Sequence, residues 1–148
     1  MARIKIELPG TFSFSTDIPI RITDLNYGGH VGNDTILTLV HEARVQFLKH
    51  HGYNELNLDG ASLIMSDAAI EFKAELFYGD VVTAFVTADN FSRAGFDLFY
   101  KLMRNEAIVA TAKTGMVCYN YEAKKVIAVP SPVKEKLQPD NGMANTTS

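Results

Sequence analysis

The sequence holds one cysteine, Cys118, and no tryptophan. A lone thiol cannot form an internal disulfide, so folding must rest on the core alone, and a reducing cytoplasm is the expected location. Long hydrophobic runs are missing as well. The richest, Ile36 to Val40, is interrupted by a threonine, far short of the roughly 18 apolar residues that cross a bilayer. The start, Met1 to Glu7, lacks the apolar stretch of a secretory signal. Lys and Arg are scattered within a formal net charge of −3, which argues against a nucleic-acid footprint. Neither a membrane nor a nucleic acid is therefore an expected partner.

Several catalytic patterns are absent too. No Gly-x-Ser-x-Gly elbow supports a serine triad. His41-Glu42 is followed at position 45 by Val45 rather than histidine, and the adjacent His50 and His51 diverge on a helix, so no metal and no cofactor are expected. Cys118 falls in an apolar strand pattern, where a buried structural thiol is favoured over a nucleophile.

What is present suits one globular domain. The chain has 148 residues, 47% of them hydrophobic and 21% charged, enough for a single core and too little for two. The domain is expected over 1–137, with a polar, disordered tail at 138–148. Phe12, Phe14, Ile18, Ile20 and Ile22 alternate as in a half-buried strand, and Pro19 points to an edge position or bulge. From Asn33 to His51 the spacing becomes helical, with Ile36, Val40, Ala43 and Phe47 on one stripe widened by Leu37 and Leu48. Asn33 is the expected N-cap, and Gly52 the stop.

Four strands are then expected, at Ser62 to Leu76, Asp80 to Ala88, Gly95 to Met103 and Ala107 to Tyr119, with one helical turn at 133–137. Turn residues at Gly79-Asp80, Asp89-Asn90 and Asn105 make the neighbours antiparallel. The fold class is thus α+β, a five-stranded antiparallel sheet wrapped around one long helix. Such a sheet has a second face, which a partner copy is expected to cover.

The unusual residues gather in the loop Asp24-Leu25-Asn26-Tyr27-Gly28-Gly29-His30-Val31-Gly32. A helix beginning there offers free backbone N–H groups that can polarise a carbonyl while a carboxylate activates water. Equally, Asp24 can simply cap the turn and His30 can be a packed histidine.

The stretch Ile22 to Asp34, then His41-Glu42-Ala43-Arg44 and Glu71 to Asp80, resembles the signature of hotdog-fold acyl-CoA thioesterases of the 4-hydroxybenzoyl-CoA thioesterase-like branch. The likeness runs over about residues 17–137. It implies a hotdog fold, a homodimer or homotetramer, and hydrolysis of an acyl-CoA or acyl-carrier-protein thioester. The carbonyl would meet backbone N–H groups near Val31 and Gly32, and Asp24 would act as base or nucleophile. His30 would orient substrate or Asp24, or hold the loop. Glu42 is the alternative acid, since some related enzymes use one on the central helix. Tyr27, Gly29, Asn33, Ile64 and Phe72 are the candidate substrate contacts. The sequence departs from the family pattern at Asn26, where many relatives carry a second acid, at Gly32, and at Thr35-Ile36-Leu37, which lacks a common tyrosine. Rival readings are a hotdog enoyl-thioester hydratase, whose motif the Tyr27 position and the late histidine do not fit, and a non-catalytic acyl-thioester sensor, for whose DNA-binding segment no room is expected.

Overall fold

The structure is a computed structural model describing residues 3–138; the tail expected at 138–148 lies outside them but for its first residue. Strand β1 (Phe14–Pro19) leads through a single 3-10 turn, Ile22–Asp24, into the loop and helix α1 (Asn33–His50). Strands β2 (Ser62–Phe72), β3 (Val81–Asp89), β4 (Gly95–Arg104) and β5 (Ala107–Asn120) follow, then a two-residue strand β6 (Lys125–Val126) and a short helix α2 (Ser131–Leu137). The sheet is antiparallel in the order β1-β3-β4-β5-β2, with β6 beside β5.

β1 lies at one edge, which explains how it tolerates Pro19 opposite Val81: a missing N–H breaks nothing on an unpaired side. Asn90 and Asn105 take left-handed conformations in the hairpin turns, with φ of 55° and 54°, as short amide side chains permit.

One face of the sheet receives α1. Ile36, Val40, Ala43, Phe47 and Leu48 of the helix are at most 4% exposed, as are Val82, Ala84, Val86, Leu98, Tyr100 and Leu102 on the sheet. Removing that apolar surface from water is the main drive to fold. Leu37 was expected on the buried stripe but is 49% exposed, and Ile22 is exposed too, since the 3-10 turn ends the strand alternation before it. The second strand stops at Phe72, because the backbone N–H groups of Lys73 and Ala74 both turn to the Val109 carbonyl. The sheet gains β6 as a sixth strand.

The opposite face is not bare. Residues 6–13 cross it: the Ile6 N–H donates to Glu71 Oε1 at 3.0 Å, Ser13 meets Thr87, and the Phe12 ring packs edge-on against Phe85. Lys101 stands over both rings at 5.2 Å from each centroid, a cation–π clamp. The chain's own N-terminal segment thus supplies cover that was expected from a partner.

The core also holds charge. Arg44, 8% exposed, donates through Nε to Glu55 Oε2 at 2.6 Å and through Nη1 to Tyr100 Oη at 3.2 Å, and Tyr100 pairs with Thr114 at 2.8 Å. His41 reaches the other oxygen of Glu55 at 3.3 Å. Burial alone would raise the Glu55 pKa, but the hydrogen bond and charge of Arg44, with His41 behind them, hold it below its ordinary value. A depressed carboxylate stabilises the fold above its unfolded pKa, and the contribution disappears as pH falls through the folded one. Thermal stability should therefore drop below about pH 4.5, and Glu55→Gln should flatten that drop. Arg44→Met strands Glu55 and Tyr100 and should cost about 2 to 3 kcal/mol by urea denaturation.

Candidate active site

The loop ahead of α1 folds back on itself. Leu25 and Val31 form an antiparallel bridge, and the Asn26 N–H donates to the His30 carbonyl at 2.9 Å. Asp24 and Gly32, which flank that bridge in the chain, are both buried. Gly29, with φ of 81°, makes the turn, a conformation only glycine adopts freely. A second stitch ties the loop to the segment after β2: the Val31 N–H donates to the Leu76 carbonyl at 2.8 Å, and His30 bridges Phe77.

Gly32, rather than Asn33, is the N-cap of α1. Its carbonyl accepts from Thr35 and Ile36 at 3.0 and 3.1 Å, while among the described residues nothing accepts from its own N–H. Because the Val31 N–H is occupied by Leu76, Gly32 is left as the free donor of the two expected. Asp34 leans back over it, its Oδ1 only 2.7 Å from where a Gly32 side chain would begin.

Asp24 is 5% exposed. Its Oδ2 accepts the Arg21 N–H at 2.8 Å, and its Oδ1 faces the Arg21 guanidinium at 3.3 Å. The carboxylate thus closes the 3-10 turn, yet each oxygen has two lone pairs and Oδ1 keeps one free. It lines a cleft of about 240 Å³ with Arg21, Thr38, Leu39, Glu42 and Gln46. The two candidate acids therefore face the same space. Glu42 is exposed and held by Gln46 Nε2 at 2.6 Å, with no ion pair to a Lys or Arg among the described residues, and the Thr16 hydroxyl of β1 donates to Gln46 Oε1 at 2.5 Å. That relay from strand to helix carries no sequence motif.

A second cleft, of about 230 Å³, opens on the other side of the loop. It is lined by His30, Val31, Asn33 and Phe72 from the expected set, and by Ile36, Lys73 and Glu75. His30 Nδ1 lies 3.2 Å from the Val31 carbonyl, and Nε2 lies 3.9 Å from Glu75 Oε2. Tyr27 is fully exposed at the tip of the loop and lines neither cleft. Ile64 lines neither cleft and pairs with Val117 on the sheet face turned away from α1. Cys118 is buried, and burial pushes its thiol up to about 11, which suits packing and not attack.

Residues 20–137 match the family profile described as the thioesterase-like superfamily. The chain belongs to this superfamily. It is similar to a 1,4-dihydroxy-2-naphthoyl-CoA hydrolase from Microcystis aeruginosa, 32% identical over 121 residues, which cover 80% of this chain and 88% of that one. Among solved structures it resembles a 1,4-dihydroxy-2-naphthoyl-CoA thioesterase from Synechocystis, with a TM-score of 0.76, 23% identity, and 84% and 94% of the two chains covered. A hypothetical protein from Aquifex aeolicus aligns with a TM-score of 0.78 at 24% identity, over 85% and 100% of the chains. The sheet wrapped on one long helix is thus the hotdog fold of the thioesterase-like superfamily.

Gly32 has φ of −74°, within reach of proline, so Gly32→Pro can fold once Asp34 swings aside. It removes the free N–H at the helix start. Thiol release from an acyl-CoA should then fall by about 10² or more, the usual effect of losing one oxyanion donor.

Proposed function

We infer that this member of the thioesterase-like superfamily hydrolyses an acyl-CoA, or an acyl thioester on a carrier protein, to a free acid and a thiol. The observation that carries the reading is the family match over residues 20–137, which takes in the loop, α1 and every strand of the sheet except β1. Similarity to a hydrolase named for a naphthoyl-CoA favours CoA as the thiol and makes an aromatic acyl group the first to try.

The reaction is assigned to the junction of loop and helix. The carbonyl oxygen rests against the Gly32 N–H and the positive end of α1, where developing negative charge is stabilised. Asp24, next in the chain to the Leu25–Val31 bridge, accepts a proton from the attacking water, and the tetrahedral intermediate collapses by loss of the thiolate. The acyl and thiol arms diverge into the two clefts. Glu42 is the rival acid, because it lines the Asp24 cleft with one oxygen unbound.

We also infer a cytoplasmic homodimer or homotetramer. With the outer face strapped by residues 6–13, support for assembly comes from β2, an edge strand of 11 residues whose outer side lacks a partner among the described residues. Met65 and Phe72 on it are 52% and 45% exposed. A free edge with apolar side chains is a template for pairing. Light scattering should give a mass at least twice 16.3 kDa, and a monodisperse monomer at micromolar concentration would remove the assembly.

A panel of acyl-CoAs with a thiol reagent tests the activity, and no thiol release from any of them would sink it. With an accepted substrate, Asp24→Asn should lower kcat by about 10² to 10⁴ and leave KM nearly unchanged. If Glu42→Gln abolishes release while Asp24→Asn retains most of it, the acid is Glu42.

A further inference from the structure

The second cleft contains a pair that the acid and the helix start do not use. His30 is fixed on several sides. Its backbone bridges Phe77, its ring meets the Phe77 ring edge-on at 6.4 Å between centroids, and a side chain at Gly28 would begin only 3.2 Å from the imidazole. Nδ1 lies against the Val31 carbonyl, an acceptor only, so Nδ1 carries a hydrogen and Nε2 is the nitrogen left to exchange a proton with the cleft. Glu75 Oε2 stands 3.9 Å from that nitrogen.

Glu75 is not on a free loop. Arg104 of β4 donates to its backbone carbonyl, the next residue, Leu76, accepts from Val31, and Phe77 donates to Asp80 Oδ2 at 2.9 Å. The segment that carries the carboxylate is thus tied to the segment that carries the imidazole. Nothing in the motif around His30 points to a residue 45 positions later.

Given the thioesterase reading, on which this rests, we propose that Glu75 is a positioning residue that orients the His30 ring toward the thiol arm, so that a proton carried on Nε2 passes to the departing sulfur. The proton count closes. Water gives one proton to Asp24, which passes it to solvent, as its oxygen bonds to the acyl carbon. The carbon–sulfur bond breaks and the sulfur takes the proton on Nε2. The second water proton, on the new carboxylic acid, reloads His30. Glu75 stays 62% exposed beside that nitrogen, so it steers the ring without enclosing it.

The test is dependence on the leaving group. For the acyl group that the wild-type protein hydrolyses best, the CoA ester and the S-phenyl ester are compared. Alkyl thiolates are strong bases and benefit from protonation, whereas thiophenolate leaves without it. Glu75→Gln should lower kcat on the CoA ester by about tenfold, and His30→Ala by about 10², with KM changed less than twofold in Glu75→Gln. Both deficits should shrink to less than threefold on the S-phenyl ester, and Glu75→Asp should recover part of the loss. Equal deficits on the two esters would make the pair structural, and an unaffected Glu75→Gln would dismiss it, either result overturning the proposal. A wild-type protein that releases no thiol from any ester defeats the thioesterase reading itself, an outcome distinct from an active enzyme indifferent to Glu75. Circular dichroism on each variant separates lost folding from lost chemistry.

Discussion

The site depends on one hydrogen bond, from the Val31 N–H to the Leu76 carbonyl. It joins the segment entering α1 to the segment leaving β2, two stretches that share no helix or hairpin. Without it the loop would have only its own turn to hold it. With it, the start of the helix is fixed against the sheet, His30 is brought to Glu75, and Gly32 is left with an N–H that has no acceptor among the described residues. The bond costs one of the two N–H groups that could have served a carbonyl. It leaves the other better placed, because a donor whose neighbour is pinned needs no rearrangement when charge develops.

Orientation of α1 has a second source, the buried cluster of Arg44, Glu55, Tyr100 and Thr114. A wholly apolar helix face would allow sliding by a turn, since Val40, Ala43 and Phe47 present similar surfaces. A guanidinium that must reach both a loop carboxylate and a strand hydroxyl permits one register, because leaving any of the three unpaired inside the core is costly. The same cluster fixes the loop around Glu55 on one flank of α1, while Thr16 and Gln46 pin the other flank to β1 and direct Glu42 toward the cleft.

Burial and opening are divided along the sheet. Its inner face is covered by α1 over β1, β3 and β4, and its outer face by residues 6–13, but β2 at the far edge keeps exposed apolar side chains on an unpaired strand. The clefts are small, about 240 and 230 Å³, less than the several hundred Å³ of a pocket that encloses a ligand. A second copy along β2 would add walls near Phe72, which lines one of them.

Much of the fold was legible in the sequence because periodicity is a local property. Alternation over Phe96 to Leu102 and helical spacing from Ile36 to Phe47 gave elements within a few residues of those observed, and Pro19 marked an edge strand correctly. The candidate site was legible as a loop and as a family resemblance. What escaped were the partners: the Arg44 cluster, the Thr16–Gln46–Glu42 relay, Glu75 beside His30, and the strap over the outer face all join residues far apart in the chain. The sheet face that holds Ile64 was illegible for a related reason, since the side of a sheet on which a residue lies depends on register, and the irregularity between Met65 and Asp67 interrupts that register within β2. Sequence by itself determined which segments become strands and helix, because those follow from spacing along the backbone. Only the tertiary structure decided which N–H stays free, which acids share a cleft and which carboxylate faces the histidine, because these depend on distances between segments that the order of residues does not contain.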